Sequence, residues 1–194
     1  MKAPLPTERM VQRGSDVPAD TLARLLRYDP TTGALHWKAR TTDLFPHSLM
    51  PEAQCKTFNK QFAGKEALTA ASKGYRVGRL FNRMVQAHRV AFALHHGRWP
   101  TGQVDHIDGN PLNNTASNLR EVTNAENHKN ERRPKSNTSG IAGVGRHGSR
   151  WRAHIKVNYR QMHLGLFDTR GEAAAARKAA EFKLGFHVNH GRVA

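Results

Sequence analysis

The chain lacks the means to brace itself covalently: its 194 residues include one cysteine, Cys55. A single thiol forms no internal disulfide and supplies no Cys-rich zinc site, so disulfide scaffolds and zinc-finger architectures are both excluded. No apolar run approaches the roughly 20 residues that a membrane span needs, and Met1 to Asp20 carry no continuous apolar core of a signal peptide. These absences predict a chain that works in a reducing cytoplasm with no membrane partner. Acids are scarce too, since 15 Asp and Glu face 31 Lys and Arg, for a formal charge of +16. With 38% apolar and 24% charged residues, the chain can build a core and carry its basicity on a folded surface. A surface of that sign predicts nucleic acid as the partner.

Length allows one domain or two small ones, at about 100 to 200 residues each. Residues 1–20 are polar, contain Pro4, Pro6 and Pro18, and read as a flexible tail. Leu22, Leu25 and Leu26 form a short helical stripe, Asp29 to Gly33 a turn, and residues 34–38 a strand. The stretch 41–60, with Pro46 and Pro51 and little alternation, reads as a long surface loop. Residues 74–81 alternate as a strand, and Ala87, Val90, Ala91 and Leu94 recur at helical spacing until Gly97 and Pro100. Next come a strand at 103–107, the turn sequence Asp108-Gly109-Asn110-Pro111 and a short strand at 120–123. Thr123 with Glu126 three residues on makes a capping box, which starts a helix there.

Residues 131–140 are rich in charge, Pro, Ser and Gly. This divides the chain into a module at 21–131, a linker at 132–139 and a second module at 140–194. Residues 135–194 hold eleven Lys and Arg against three acids. Strands are expected at 141–146, 150–158 and 160–167, followed by a helix capped by Thr169 and Glu172 that runs through the alanines of 173–180 and stops at Gly185. Trp151, Ala153, Ile155 and Val157 fall on one face of the middle strand; Arg150, Arg152, His154, Lys156 and Asn158 fall on the other. Met162, Leu164 and Leu166 are expected to turn inward, with Gln161 and His163 beside the basic stripe. A sheet face so poor in acids predicts DNA contact, and a sheet can enter the major groove.

Asn113, Asn114, Asn118 and Asn127 follow Asp105-His106 inside a strand, loop, strand and helix that is too polar to be core alone. Val104-Asp105-His106-Ile107-Asp108-Gly109-Asn110, Asn113-Asn114, Asn118-Leu119-Arg120 and Asn124-Ala125-Glu126-Asn127 resemble the ββα-metal motif of HNH nucleases, particularly the phage homing endonucleases. The resemblance implies that Asp105 and Asn127 hold one divalent metal, that His106 is the general base, and that Asn118 orients His106 or braces the loop. Asn127 stands where the family name has its final His, and the adjacent His128 is the alternative ligand. Asn110, Asn113 and Asn114 read as turn formers, and His88 as a packed residue of the supporting helix, with Arg89 in reach of a phosphate.

Imidazole, with an ordinary pKa of about 6.5, accepts a water proton near neutrality. One carboxylate and one amide oxygen suit Mg²⁺ or Mn²⁺ that keeps waters and takes phosphate oxygens, more than zinc.

Gly143-Val144, Trp151 to Lys156, Leu164 to Thr169 and the alanine-rich helix resemble the APETALA2/ethylene-response-factor DNA-binding domain. That likeness implies DNA contacts from Arg146, Arg150, Arg152, His154, Lys156, Gln161 and His163. His163 stands where tryptophan is usual, so only the docking mode carries over.

The expected fold is α+β: a ββα-metal (His-Me finger) core at 103–130 with small N-terminal β elements, plus a three-stranded antiparallel sheet packed on one helix. The expected function is metal-dependent hydrolysis of double-stranded DNA by a nicking or homing endonuclease in the host cell of a phage or in a bacterium. One chain would nick, and two on a symmetric target would cut both strands. The alternative is a DNA-binding regulator with an inactive nuclease core. An RNA-binding role is less supported, because stacking aromatics are few on the basic face.

Overall fold

The computed structural model describes residues 17–192, except Pro46, His47, Asn82, Arg132, Pro134 and Lys135. Most of the expected tail and Arg132, Pro134 and Lys135 of the expected linker therefore lie outside the described residues. The chain divides into two compact units. One comprises the described residues up to His106 together with Asn110–Glu121; the other comprises Ile107–Gly109 and the described residues from Val122 onward. The division thus falls at Glu121, ahead of the stretch whose composition reads as a linker. Among the described residues no helix is long and apolar enough to cross a membrane.

In the first unit, α1 (Ala19–Leu25) runs into β1 (Leu26–Tyr28), which pairs antiparallel with β2 (Leu35–Trp37). The helical stripe does what its spacing predicts, as Leu22, Leu25 and Leu26 are at most 1% exposed. Residues 17–20, expected within the tail, belong to the folded unit. Val17 is fully buried, and its carbonyl accepts the Trp99 indole N–H at 2.5 Å.

The surface loop expected over 41–60 is instead a 3-10 turn at Thr42–Leu44 and a helix, α2 (Pro51–Phe62). Pro51 at the first helical position starts it, a place where the missing N–H costs nothing. None of its residues is fully buried; Pro51, Cys55, Phe58 and Asn59 form a half-buried, mixed side that gives only a weak apolar signal. It is held through Phe58, whose ring meets Trp37 edge-on and lies 3.7 Å from the Arg40 guanidinium.

A meander of β3 (Ala70–Ser72), β4 (Tyr75–Leu80) and β5 (Arg83–Gln86) leads directly into α3 (Ala87–His96). On α3, Val90, Ala91 and Ala93 are fully buried, and Gly97 ends the helix at φ +67°. β6 (Gln103–His106) then pairs with β7 (Leu119–Val122).

The loop between β6 and β7 is pinned from below by the β1–β2 turn. Ala116 N–H bonds to the Pro30 carbonyl at 2.9 Å, and the Tyr28 hydroxyl donates to the Asn114 carbonyl at 2.7 Å. Gly33, at φ +76°, lies so close that a Cβ there would sit 2.6 Å from the Asn114 carbonyl carbon. Two separate facts thus require glycine at residue 33.

The second unit holds α4 (Asn124–His128), then β8 (Val144–His147), β9 (Arg150–Val157) and β10 (Arg160–Phe167) in one antiparallel sheet ordered β10-β9-β8, and α5 (Arg170–Lys183). Both predicted capping boxes form, Thr123 with Glu126 on α4 and Thr169 with Glu172 on α5. Ala153, Val144 and Ala173 make the small core between sheet and helix, with Trp151, Leu164 and Phe167 packed around it.

The expectation for Leu166 fails. A bulge between His163 and Gly165 shifts the register, so that Phe167 pairs with Trp151 and Leu166 with Arg152, on the basic side. An extra residue in one strand flips every later side chain, and alternation read from sequence cannot locate it.

Gly33→Ala should lower the unfolding free energy by about 1–3 kcal/mol, the range for forcing a side chain into a strained backbone region. The urea midpoint checks this, and an unchanged midpoint would refute the account of the turn against the Asn114 loop.

Candidate active site and nucleic-acid interface

His106 is the last residue of β6 and is 5% exposed; Asp105 precedes it at 9%. Successive strand residues point to opposite faces, so the two side chains are held by different partners. Arg120, across on β7, donates to Asp105 Oδ2 from Nε at 3.0 Å and from Nη2 at 2.8 Å.

His106 Nε2 lies 3.0 Å from Asn114 Oδ1. An amide oxygen only accepts, so Nε2 carries the proton in that bond and the neutral ring has its lone pair on Nδ1. Asn114, 2% exposed, is held in turn by the Tyr28 hydroxyl at its carbonyl.

Asn118 is also buried, in a 3-10 turn (Ala116–Asn118), and its Nδ2 donates to the Asn113 carbonyl at 2.8 Å. Of the two roles the resemblance left open for Asn118, this bond serves the bracing one. Asn114, which reads as a turn former, provides the contact to the imidazole. The sequence signal for it is weak, since short amides abound in turns and only the fold distinguishes the one that faces a histidine.

Two further residues surround His106. The His88 ring, in the first turn of α3, meets it edge-on with centroids 5.1 Å apart, and Tyr75, at the start of β4, lies 5.1 Å from His88 and 6.1 Å from His106. His88 is packed, as its place on the helix predicts. Burial, with the nearby His106 and then Arg89 adding, pulls its pKa down to about 3, so it is neutral near pH 7. Arg89 donates to the carbonyls of Gly102 at 3.0 Å and Pro100 at 3.2 Å. It therefore braces the approach to β6.

Asn127 lies on α4 in the second unit and is half-buried. His128, one residue on and about 100° around the helix, is turned to Glu131, with Nδ1 2.6 Å from Oε1, and meets the Tyr159 ring edge-on at 5.9 Å.

Among the described residues no group of three His, Cys, Asp or Glu side chains could hold a metal ion. A cage built from such side chains is thus not part of the described structure.

On β9, Ala153 and Ile155 are fully buried toward α5, while Arg150, Arg152 and Lys156 are exposed on the opposite face. The register adds Gln161 opposite Lys156, His163 opposite His154, and His147 opposite Arg150. His147 was not expected there. Arg146 is not on this face: it pairs with Trp151, and its guanidinium lies 4.5 Å from that ring. Arg150 bonds to Asp168 at 3.1 Å and to the Leu166 carbonyl at 2.8 Å, which orients it along the face. His154 is half-buried; burial, with Arg152, Arg177 and His163 nearby, holds its pKa below the ordinary histidine value.

Residues 85–129 match the HNH endonuclease family. Protein 3.8 of Escherichia phage T7 is 38% identical to this chain over 84 residues, a stretch that covers 42% of this chain and 69% of that protein. No solved structure matches.

The depressed pKa of His88 has a sign that can be tested. As pH falls, the unfolded chain takes up the proton first. The folded state therefore loses stability from the ordinary histidine pKa of about 6.5 downward, until His88 itself titrates at about 3. Urea midpoints at pH 7 and pH 4 should fall more for the wild type than for His88→Leu. Equal falls would assign the acid sensitivity to other groups.

Proposed function

The chain belongs to the HNH endonuclease family, and from that premise we propose that it is a divalent-metal-dependent DNA endonuclease acting as a site-directed nicking or homing enzyme. The observation that carries this reading is the buried His106–Asn114 bond beside the Arg120-held carboxylate of Asp105. It makes Nε2 the hydrogen-bearing nitrogen, which leaves Nδ1 as the nitrogen that would take the proton from the attacking water. Asp105 and Asn127 would hold the ion, because His128 is occupied with Glu131 and Tyr159. A divalent ion held there supplies charge stabilisation to the phosphate and to the leaving 3′-oxygen. Asn118 keeps the loop that carries Asn114 in place, and Tyr28 and Gly33 support the same loop from the β1–β2 turn.

The second unit holds the DNA. Its three-stranded sheet on one helix suits the APETALA2-like docking mode, with Arg150, Arg152, His154, Lys156, Gln161 and His163 along the duplex and Arg146 reaching phosphate from the strand end. One such site per chain nicks one strand; two chains on a symmetric target would cut both.

Supercoiled plasmid with Mg²⁺ should be converted to the nicked form by the wild type. His106→Ala should slow this by about 10²–10⁴-fold, the usual range for general-base help. Asn114→Ala should lower kcat by about 10–100-fold with KM little changed, as when a partner that orients a working histidine is lost. Cleavage that persists undiminished in His106→Ala would overturn the assignment, and binding without any cleavage by the wild type would leave a DNA-binding regulator.

If about six groups of the chain neutralise phosphates, affinity should fall by roughly 10³ between 50 and 200 mM salt. The Arg150→Ala/Arg152→Ala double variant should reduce the logarithmic salt slope by about 2, at about 0.9 per phosphate contact. A slope unchanged from wild type would remove these arginines from the interface.

A further inference from the structure

The turn that joins β9 to β10 departs from the usual chemistry of its type. Only Asn158 and Tyr159 separate the paired residues Val157 and Arg160, and both have positive φ, at +48° and +63°. Two-residue hairpins of this kind prefer Asn-Gly, because a side chain in the left-handed region of the second position is strained. Here that position carries a tyrosine that is 68% exposed, so burial does not explain it. Strain held at one place by its surroundings points to a functional demand.

The surroundings are particular. Tyr159 Oη accepts a hydrogen bond from Asn124 Nδ2 at 2.8 Å, and the ring has His128 edge-on at 5.9 Å and Lys156 Nζ 5.9 Å from its centroid. The ring borders a cavity of about 290 Å³ lined also by Phe186, Lys156 and Gln161, all within the second unit. Sites for drug-sized ligands run roughly 300–1,000 Å³, so this one takes a single small planar group. Aromatic rings offer that group a stacking surface, the Gln161 amide can donate and accept at its edge, and Lys156 brings positive charge. Aromatic surface, a two-way amide and a cation together match a nucleobase with its phosphate.

We propose that Tyr159 is a stacking platform that takes one unpaired nucleotide of a DNA strand into this cavity, with Gln161 against the base edge and Lys156 at the phosphate. This rests on the reading of the second unit as the DNA-holding module, and adds that the module captures a base outside the duplex stack. An unstacked base near the hairpin would also hold the duplex locally open, which would ease access to one strand.

The full-length chain in chelator-containing buffer tests the proposal, with fluorescently labelled (dT)₅ as the probe and a labelled 20-base-pair duplex measured in parallel. Tyr159→Gly suits the test because glycine relieves the positive-φ strain, so the thermal midpoint should hold or rise while the ring is lost. This variant should bind (dT)₅ about 5- to 150-fold more weakly, the loss of one stacked base. Tyr159→Phe should keep wild-type affinity, and thymidine monophosphate should bind far more weakly than (dT)₅. Undiminished (dT)₅ binding by Tyr159→Gly, no (dT)₅ binding by the wild type, or equal affinity for the free nucleotide each overturns the proposal. If the duplex still binds in those cases, only the proposal falls; if it does not, the DNA-holding reading falls as well.

Discussion

Asn114 Oδ1 stands 3.0 Å from His106 Nε2, both side chains being buried, and the rest of the first unit can be read as the means of keeping it there. A buried amide oxygen costs free energy unless it accepts a bond, so the pair is held from both sides: the imidazole satisfies the amide and the amide selects the tautomer. The loop that carries Asn114 has only the short 3-10 turn Ala116–Asn118 to stiffen it. It borrows rigidity from Tyr28, Pro30 and Gly33 of the β1–β2 turn and from the Asn118 side chain. The leucines of α1 and the alanines of α3 matter to chemistry only through this chain of contacts, because they fix the turn and β6 relative to each other.

Charge is distributed with the same economy. Several of the few acids are committed to internal structure. Glu121 accepts from the Gly102 and Thr101 amides and pairs with Arg98, which holds its pKa down to about 2. Buried Glu181 is shared by Arg177 and Lys178, and Glu126 and Glu172 close the capping boxes. Asp105 is tied to Arg120. With acids turned to these tasks, the outer face of β9 is left almost purely basic. A surface like that gathers polyanions through the summed field, whatever single contacts it makes.

Local rules were readable wherever a side chain's fate depends on its near neighbours. The stripe at Leu22, Leu25 and Leu26, the alternation of β9, and the caps at Thr123 and Thr169 each follow from spacing of four residues or fewer. Where a remote partner decides, reading failed. α2 carries no fully buried residue and so only a weak periodic signature; Val17 is held in the core beside Trp99, 82 positions away. Leu166 changes face because the strand takes in one extra residue between His163 and Gly165, and Phe167 packs against the core in its stead.

The candidate site divides along the same line. The resemblance of the segment holding Asp105, His106, Asn118 and Asn127 to the HNH motif pointed to nuclease chemistry, and the excess of Lys and Arg over acids pointed to a polyanionic partner; the spacing of four polar side chains would not have done so alone. Which amide faces the imidazole, that Arg120 grips Asp105, that His88 sits against His106, and that Arg146 leaves the basic face for Trp151 were settled only in three dimensions. Each is a contact between residues whose separation in the chain says nothing about their separation in space, and hydrogen-bond direction and strand register exist only once the backbone has closed around them.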